Sequence, residues 1–383
     1  MTLVYLVAGE HSGDVLGARL MAALRERRPD LRFAGVGGPR MTALGLVSLF
    51  PMHELAVMGL MEVLPRIRQL SRRLRETAAD VRERHPDVLV TIDSPGFTLR
   101  LLKQVHGVPR VQYVAPQVWA WREHRVKTFP GLWERLLCLL PFEVAFFAGH
   151  GLPATFVGHP VLESGADHGD AVRFCATHGL PPDATVVVLM PGSRRSEAPR
   201  LLPVFGAAMA LLAARVPNLV PVVPVAAAVA ETVRRATARW AIPPVIVTEL
   251  QDKHDAYAAA AAALTKSGTS TLELALAGVP MAVTYRVNPL TAMVARRLIR
   301  VPHVAMVNLL AGRLVVPELL QQDCTPEKLA ATLATLLGDP AAATAQREAF
   351  RAVMASLSLP GRSPSQAAAA EVLAVLDEAQ LRP

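Results

Sequence analysis

An α/β fold of two tandem doubly wound domains is predicted by three observations. Short apolar runs alternate with helical patterns along most of the chain. The alternation breaks at a polar, Gly-containing stretch, 163–170, and then restarts. Several apolar runs end abruptly on Gly, Ser, Asp or Glu. Such alternation builds a parallel sheet with helices on both faces, and ligands of such sheets sit beyond the carboxyl ends of the strands. The 383 residues, 52% hydrophobic and 19% charged, supply material for about two buried cores and lack the signature of disorder. Two Rossmann-like domains with the binding cleft between them are therefore expected, at 1–162 and 171–356. A loop and helix, 357–383, would pack back on the first domain or on a partner subunit.

The first strand is Leu3 to Ala8, a continuous apolar run too short for a helix. It stops at Gly9-Glu-His-Ser-Gly-Asp14, a loop suited to a phosphate or a sugar, and a helix follows with Leu16, Leu20 and Leu24 facing inward. Arg32 to Val36 is the second strand, closed by Gly37-Gly-Pro39. The strand Asp87 to Asp93 ends on a carboxylate, and Ser94-Pro95 prevents its continuation. Asp93 either takes a proton from a hydroxyl nucleophile or caps the next helix, expected over Leu99 to Val105. Glu10 occupies the equivalent loop after the first strand. Further strands are read at Arg110 to Val114 and Arg135 to Leu140.

Beyond the linker at 163–170, Thr185 to Met190 is a strand that ends in Pro191-Gly-Ser-Arg194, and a helix then runs toward Arg215. Gly192 and Ser193 allow close approach to the backbone, and Arg194 either offers a planar fork of donors to a diphosphate or is simply solvated. Strands at Val220 to Val225 and Val245 to Val247 precede another strand that ends at Leu264. There Ser267-Gly268-Thr269 opens a helix carrying Leu272 and Leu276 on one stripe, so the turn offers hydroxyls, backbone N–H groups and a positive dipole end to an anion. Glu273, one turn on, would repel phosphate and either accepts hydrogen bonds from the hydroxyls of a ribose or is a solvated residue on an ordinary capped helix. Met281 to Tyr285 is the next strand, and His303 to Val307 is read as another that delivers Asn308 either to the site or to a helix cap. The last amphipathic helix reaches about Ala379.

A net charge of +8 and a pI near 9.9 favour acidic partners. Nucleic acid is not expected, because aromatic residues are 5% of the chain and none are interleaved with basic ones as a stacking ladder. Three widely spaced cysteines suit a reducing compartment rather than a disulfide framework. No run reaches the length of a membrane span, and no secretory leader is read at the start. Neither Asp-x-Asp nor His-Glu-x-x-His occurs, so no metal site and no cofactor are expected. Between Glu54 and Arg75, an apolar patch (Val57, Met58, Leu60, Met61, Val63, Leu64) joins an arginine-rich helix bearing Arg66, Arg68, Arg72 and Arg73. This segment suits an anionic membrane surface or an acyl chain, or else is a core helix with a solvated basic face. Trp119 and Trp121 are either interfacial or packed inside a domain.

Taken together and in order, these motifs resemble the lipid-A-disaccharide synthase family, inverting glycosyltransferases of the two-Rossmann-domain B type. The resemblance runs nearly end to end. It includes Ala8-Gly-Glu-His-Ser-Gly-Asp14, Ile92-Asp-Ser-Pro95, Val118-Trp-Ala-Trp-Arg122, Pro191-Gly-Ser-Arg194, Ser267-Gly-Thr269 with Glu273, and Asn308-Leu-Leu-Ala-Gly-Arg313. It implies that 2,3-diacylglucosamine passes from its UDP conjugate to 2,3-diacylglucosamine 1-phosphate, giving a β-1,6-linked disaccharide and UDP. By the same resemblance Asp93 is the catalytic carboxylate and Glu10 a second active-site acid, while Arg194, Glu273 and Asn308 serve the donor nucleotide. It further implies a peripheral protein on the cytoplasmic face of the inner membrane and leaves the oligomeric state open, a homo-oligomer included. The family usually reads Asp-Phe-Asn where this chain has Gly96-Phe97-Thr98, so an acceptor contact from those two polar positions is not carried over. The alternative is another UDP-sugar transferase, or an epimerase, on the same scaffold.

Overall fold

The computed structural model describes residues 2–55, 60–192, 198–288 and 301–381, with the side chains of 60–65 and 227–228 outside that description. The chain divides into two compact units: Met1–Pro160 together with Leu357–Pro383, and Val161–Ser356.

In the first unit, seven parallel strands are described: β1 (Leu3–Ala8), β2 (Arg32–Val36), β3 (Val47–Ser48), β4 (Val88–Ile92), β5 (Arg110–Tyr113), β6 (Arg135–Cys138) and β7 (Ala154–Phe156). Their order is β3-β2-β1-β4-β5-β6-β7. β1 is covered on both faces, which is why it reads as an unbroken apolar run, and Leu16, Leu20 and Leu24 of the helix His11–Arg27 enter the same core. The chain order reverses between the paired strands β1 and β4, so the loops that leave their carboxyl ends open side by side at a topological switch point. The C-terminal helix Pro364–Gln380 begins with a reciprocal cap between Ser363 and Gln366 and contributes Ala368, Val372 and Leu376 to this core. Covering Val372 and Leu376 contributes roughly 1.5–3 kcal/mol each relative to exposure.

The second unit repeats the plan with six described strands: β8 (Thr185–Met190), β9 (Leu219–Pro224), β10 (Val245–Val247), β11 (Ala260–Lys266), β12 (Met281–Tyr285) and β13 (Glu318–Leu320). Their order is β10-β9-β8-β11-β12-β13, all parallel, with the reversal between β8 and β11. The polar stretch 163–170 is built into this unit. Asp170 N donates to Asp255 Oδ1 at 2.9 Å, and a Cβ on Gly169 would lie 1.9 Å from the His254 carbonyl oxygen.

Two elements differ from the sequence reading. The helix after β4 spans Pro95–Leu102, earlier than expected, because Pro95 supplies a ready-made first position. Residues 303–307 form no strand; a helix, Met306–Ala311, stands there, and the edge strand is the short, half-buried β13. Three residues with no apolar alternation carry too weak a periodic signal to be read as a strand.

Candidate active site

At the first switch point the loops after β1 and β4 touch. A Cβ on Gly9 would lie 2.4 Å from Ser94 Oγ, so the residue there must be glycine for the Ser94 side chain to pack where it does. Asp93 and Ser94 are successive non-glycine residues with left-handed backbones, φ 51° and 46°. Each costs on the order of 1–3 kcal/mol and persists only where the surroundings over-determine it. Here they do: Asp93 N donates to Tyr113 O at 2.9 Å, and the Thr98 hydroxyl donates to the carbonyls of Asp93 (2.8 Å) and Ser94 (3.1 Å). Thr98 is fully buried, so it locks the turn from within. Burial pushes the Asp93 carboxyl above its ordinary value, partly offset by a hydrogen bond from the Ser94 backbone. A carboxylate raised toward neutral pH holds a proton more strongly, which improves it as a general base. Ser94 Oγ is buried with no hydrogen-bond partner among the described residues, a further cost carried by this turn. Glu10 stands at the start of the helix His11–Arg27 as its N-terminal cap residue, and His11 is exposed. Asp14, from the same motif, is wholly buried and accepts from Gly38 N (2.9 Å), Arg40 N (3.0 Å) and Met41 N (3.0 Å), so it secures the loop after β2.

At the second switch point, β8 leads to Gly192 (φ 105°), and β11 leads to Ser267 and to Gly268, an exposed residue with φ 157°. Ser193 and Arg194 lie outside the described residues. Ser267 Oγ donates to Val304 O at 2.7 Å, and no acceptor among the described residues takes the N–H groups of Gly268 and Thr269. Glu273 Oε2 accepts from Lys253 Nζ at 2.9 Å and from the Tyr257 hydroxyl at 3.2 Å. Its other oxygen has no partner among the described residues and is available to a ligand hydroxyl. Asn308 is different. It is fully buried, its amide donates to Val316 O (2.9 Å) and Glu318 Oε1 (2.8 Å), and its oxygen accepts from Val315 N (2.8 Å) and Val316 N (2.9 Å). With the bonding capacity of its side chain spent inside the protein, Asn308 does not reach a nucleotide from this position. It positions the Ser267 turn instead, because Glu318 also accepts from Val304 N and Ala305 N, next to the carbonyl that Ser267 uses.

The model of the lipid-A-disaccharide synthetase family matches residues 4–372. The chain belongs to this family. Lipid-A-disaccharide synthases of Granulibacter bethesdensis and Gluconobacter oxydans are 62% and 63% identical to it, over 98% of this chain and 99% and 91% of theirs. That of Pseudomonas aeruginosa is 45% identical over 98% of both chains. Among solved structures, a calicheamicin glycosyltransferase shares the fold with a TM-score of 0.62 at 17% identity over the whole of both chains. The UDP-GlcNAc 2-epimerase of Neisseria meningitidis does so with a TM-score of 0.63 at 12% identity, over 99% of this chain and 100% of the other. By family, this member of the lipid-A-disaccharide synthases is a glycosyltransferase.

The remaining expected residues of this synthase separate. Val57 and Met58 lie outside the described residues, as do the side chains of Leu60, Met61, Val63 and Leu64. Arg66, Ile67 and Arg68 are exposed on the helix Leu60–Arg84, and Arg72 is 57% exposed. Arg73 corrects the sequence reading. Its guanidinium forks onto Glu54 (2.7 and 2.8 Å), donates to Glu76 (2.7 Å) and lies 4.6 Å from the Phe50 ring centroid, so it ties this helix to the unit and is not offered to a membrane. No described helix is long and apolar enough to cross a membrane. Trp119 is a packing residue: its indole N–H donates to the buried Glu143 at 3.0 Å, and its ring meets Phe142 edge-on. Trp121 is 42% exposed. Glu143 closes the Leu140-Pro-Phe-Glu143 motif, which is part of the resemblance to the family, yet the sequence assigned it no role; burial pushes its carboxyl up to about 7.

Proposed function

We propose that the chain transfers 2,3-diacylglucosamine from its UDP conjugate to the 6-hydroxyl of 2,3-diacylglucosamine 1-phosphate, with inversion. Asp93 removes the proton from the acceptor hydroxyl as that oxygen forms its bond to the anomeric carbon of the donor. The bond from this carbon to the diphosphate oxygen breaks, the electron pair leaves with UDP, and the product is the β-1,6-linked disaccharide 1-phosphate. Glu10, in the loop that touches the Asp93 turn, orients the acceptor. In the second unit the open N–H groups of Gly268 and Thr269, the Gly192–Ser193 turn and Arg194 receive the diphosphate, the Ser267 hydroxyl holds the turn through Val304 O, and Glu273 accepts from a ribose hydroxyl. The observation that carries this reading is Asp93: a half-buried carboxyl with a raised affinity for protons, on a strained turn at a switch point, in a chain matched over nearly its whole length by the family.

Both substrates carry acyl chains, so we infer reversible docking on the cytoplasmic face of the inner membrane. Val57, Met58, Leu60, Met61, Val63 and Leu64 enter the interface while Arg66, Arg68 and Arg72 meet anionic headgroups, each basic residue contributing about 1 kcal/mol. UDP release in detergent, with acylated against non-acylated sugars, tests the reaction, and release that ignores the acyl chains would overturn the substrate assignment. Sedimentation with anionic vesicles tests the docking. Replacing Val57, Met58 and Leu60 by Ser should abolish it while UDP affinity is kept, and unchanged sedimentation of a folded variant would move the docking face elsewhere.

A further inference from the structure

We propose that the cavity beside the Asp93 turn is the acyl-phosphate subsite for the acceptor: its apolar floor holds an acyl chain and its cationic rim holds the 1-phosphate. The proposal rests on the transfer reaction above and names how its acceptor is held.

The cavity has a volume of about 610 Å³, within the span of roughly 300–1,000 Å³ typical of pockets that enclose small ligands. Leu99, Phe129 and Leu132, all buried, form its floor. Arg100, Lys103, Arg122 and Arg125 surround it, and no Asp or Glu lines it. None of these four cations pairs with a carboxylate among the described residues, so their charge is available to an anion. The Arg122 guanidinium stacks 3.7 Å from the Trp121 ring centroid, which fixes the plane of its donors.

The cavity is tied to the reacting group by the chain itself. Pro95 and Gly96 line it and open the helix Pro95–Leu102 directly after the Asp93-Ser94 turn, and Leu99 and Arg100 stand on the next turn of that helix. The element that aims Asp93 therefore also sets the floor and part of the rim. An acylated sugar phosphate matches both surfaces at once, because its chain needs an apolar hollow and its phosphate a cluster of cations close to the base. At Gly96 a Cβ would meet nothing within 4 Å, so the mouth is open and a large side chain can be introduced there without a clash at its first atom.

The test uses the intact enzyme and two variants, Arg100→Ala with Lys103→Ala, and Gly96→Trp, each first shown to melt like the parent. Acceptors with and without the 1-phosphate are compared. Loss of the two cations should raise KM for the phosphorylated acceptor about tenfold or more, erase its advantage over the phosphate-free one, and leave KM for the UDP donor unchanged. Gly96→Trp should lower kcat/KM with both acceptors. Unchanged acceptor KM in both variants overturns the subsite and leaves the transfer reaction standing. Binding of dodecyl phosphate without donor, followed by tryptophan fluorescence, is independent of turnover. Binding that both variants lose supports the subsite, and it does so whether or not the parent transfers sugar; failure of transfer alone would overturn the reaction. Variants that bind dodecyl phosphate as the parent does, yet no longer sediment with anionic vesicles, would assign these cations to the bilayer and overturn the proposal.

Discussion

At the end of β4 the first unit presents a half-buried carboxyl on a turn of two successive left-handed residues, whereas at the end of β11 the second presents an exposed glycine, open N–H groups and a half-pinned carboxylate. Both places are switch points of parallel sheets built on one plan. The fold therefore selects where a site lies and leaves its chemistry to the loop. Around Asp93 the loop is held by hydrogen bonds from Asp93 N and the Thr98 hydroxyl, as aiming the proposed base requires. Around Gly268 the backbone N–H groups stay open, as the proposed diphosphate site requires.

The largest effect expected from this contrast is on turnover. Asp93→Asn should reduce kcat by roughly two to four orders of magnitude with UDP affinity kept, and full turnover would remove Asp93 from the mechanism. The proposed base works ionised and burial raises its proton affinity, so kcat/KM should fall as pH drops through a value above the ordinary aspartate one. A limb at the ordinary aspartate value would mean that the turn leaves the carboxyl unperturbed.

Asn308→Ala probes whether the second site is as pre-built as the first. It strands the buried partners of Asn308, at about 1–3 kcal/mol for each group left unsatisfied, so the melting temperature should drop and UDP affinity should weaken as a consequence. Weaker UDP binding at an unchanged melting temperature would restore a direct ligand contact. In the first unit, Glu143 is a buried carboxyl outside the switch point. Its folded value of about 7 lies above its unfolded one, so the native state binds the extra proton and stability is lost as pH rises from the ordinary glutamate range through 7. Glu143→Gln removes the titrating group and should flatten that slope, while its single amide oxygen can serve only one of the two donors, Trp119 Nε1 and Leu140 N, that the carboxyl now accepts. An unchanged slope in thermal melts would show that Glu143 is ionised in the fold.

Glu273→Ala and Arg194→Ala should each weaken UDP about tenfold to a hundredfold, the scale of one charge-assisted contact, with kcat at saturating donor less affected. Unaltered UDP affinity in both would place the nucleotide elsewhere. The smallest expected effect is none: EDTA should leave the rate intact, since N–H groups and an arginine are expected to meet the diphosphate charge, and a rate that collapses and returns with magnesium would show a metal between them.

Most strands were legible because a strand covered on both faces must be apolar along its whole length. Leu3–Ala8, Arg32–Val36, Thr185–Met190 and Met281–Tyr285 fall where their runs indicate. The motifs at their ends were legible for a related reason: Gly, Ser and Asp interrupt an apolar run where the backbone must turn or meet a ligand. Partnership was not legible. Arg73 and Arg72 are adjacent in the same basic helix, and only the position of Glu54 commits one and leaves the other exposed. Asn308 reads equally as a ligand contact or a helix cap, and only the positions of Glu318 and the backbone at 315–316 show what its side chain bonds. Trp119 and Trp121 were alike until Glu143 took the first. Burial and turn formation are local averages over neighbouring residues, which a single sequence records. The choice of a partner depends on which distant groups the sheet order brings within about 3 Å, and that only the tertiary structure decides.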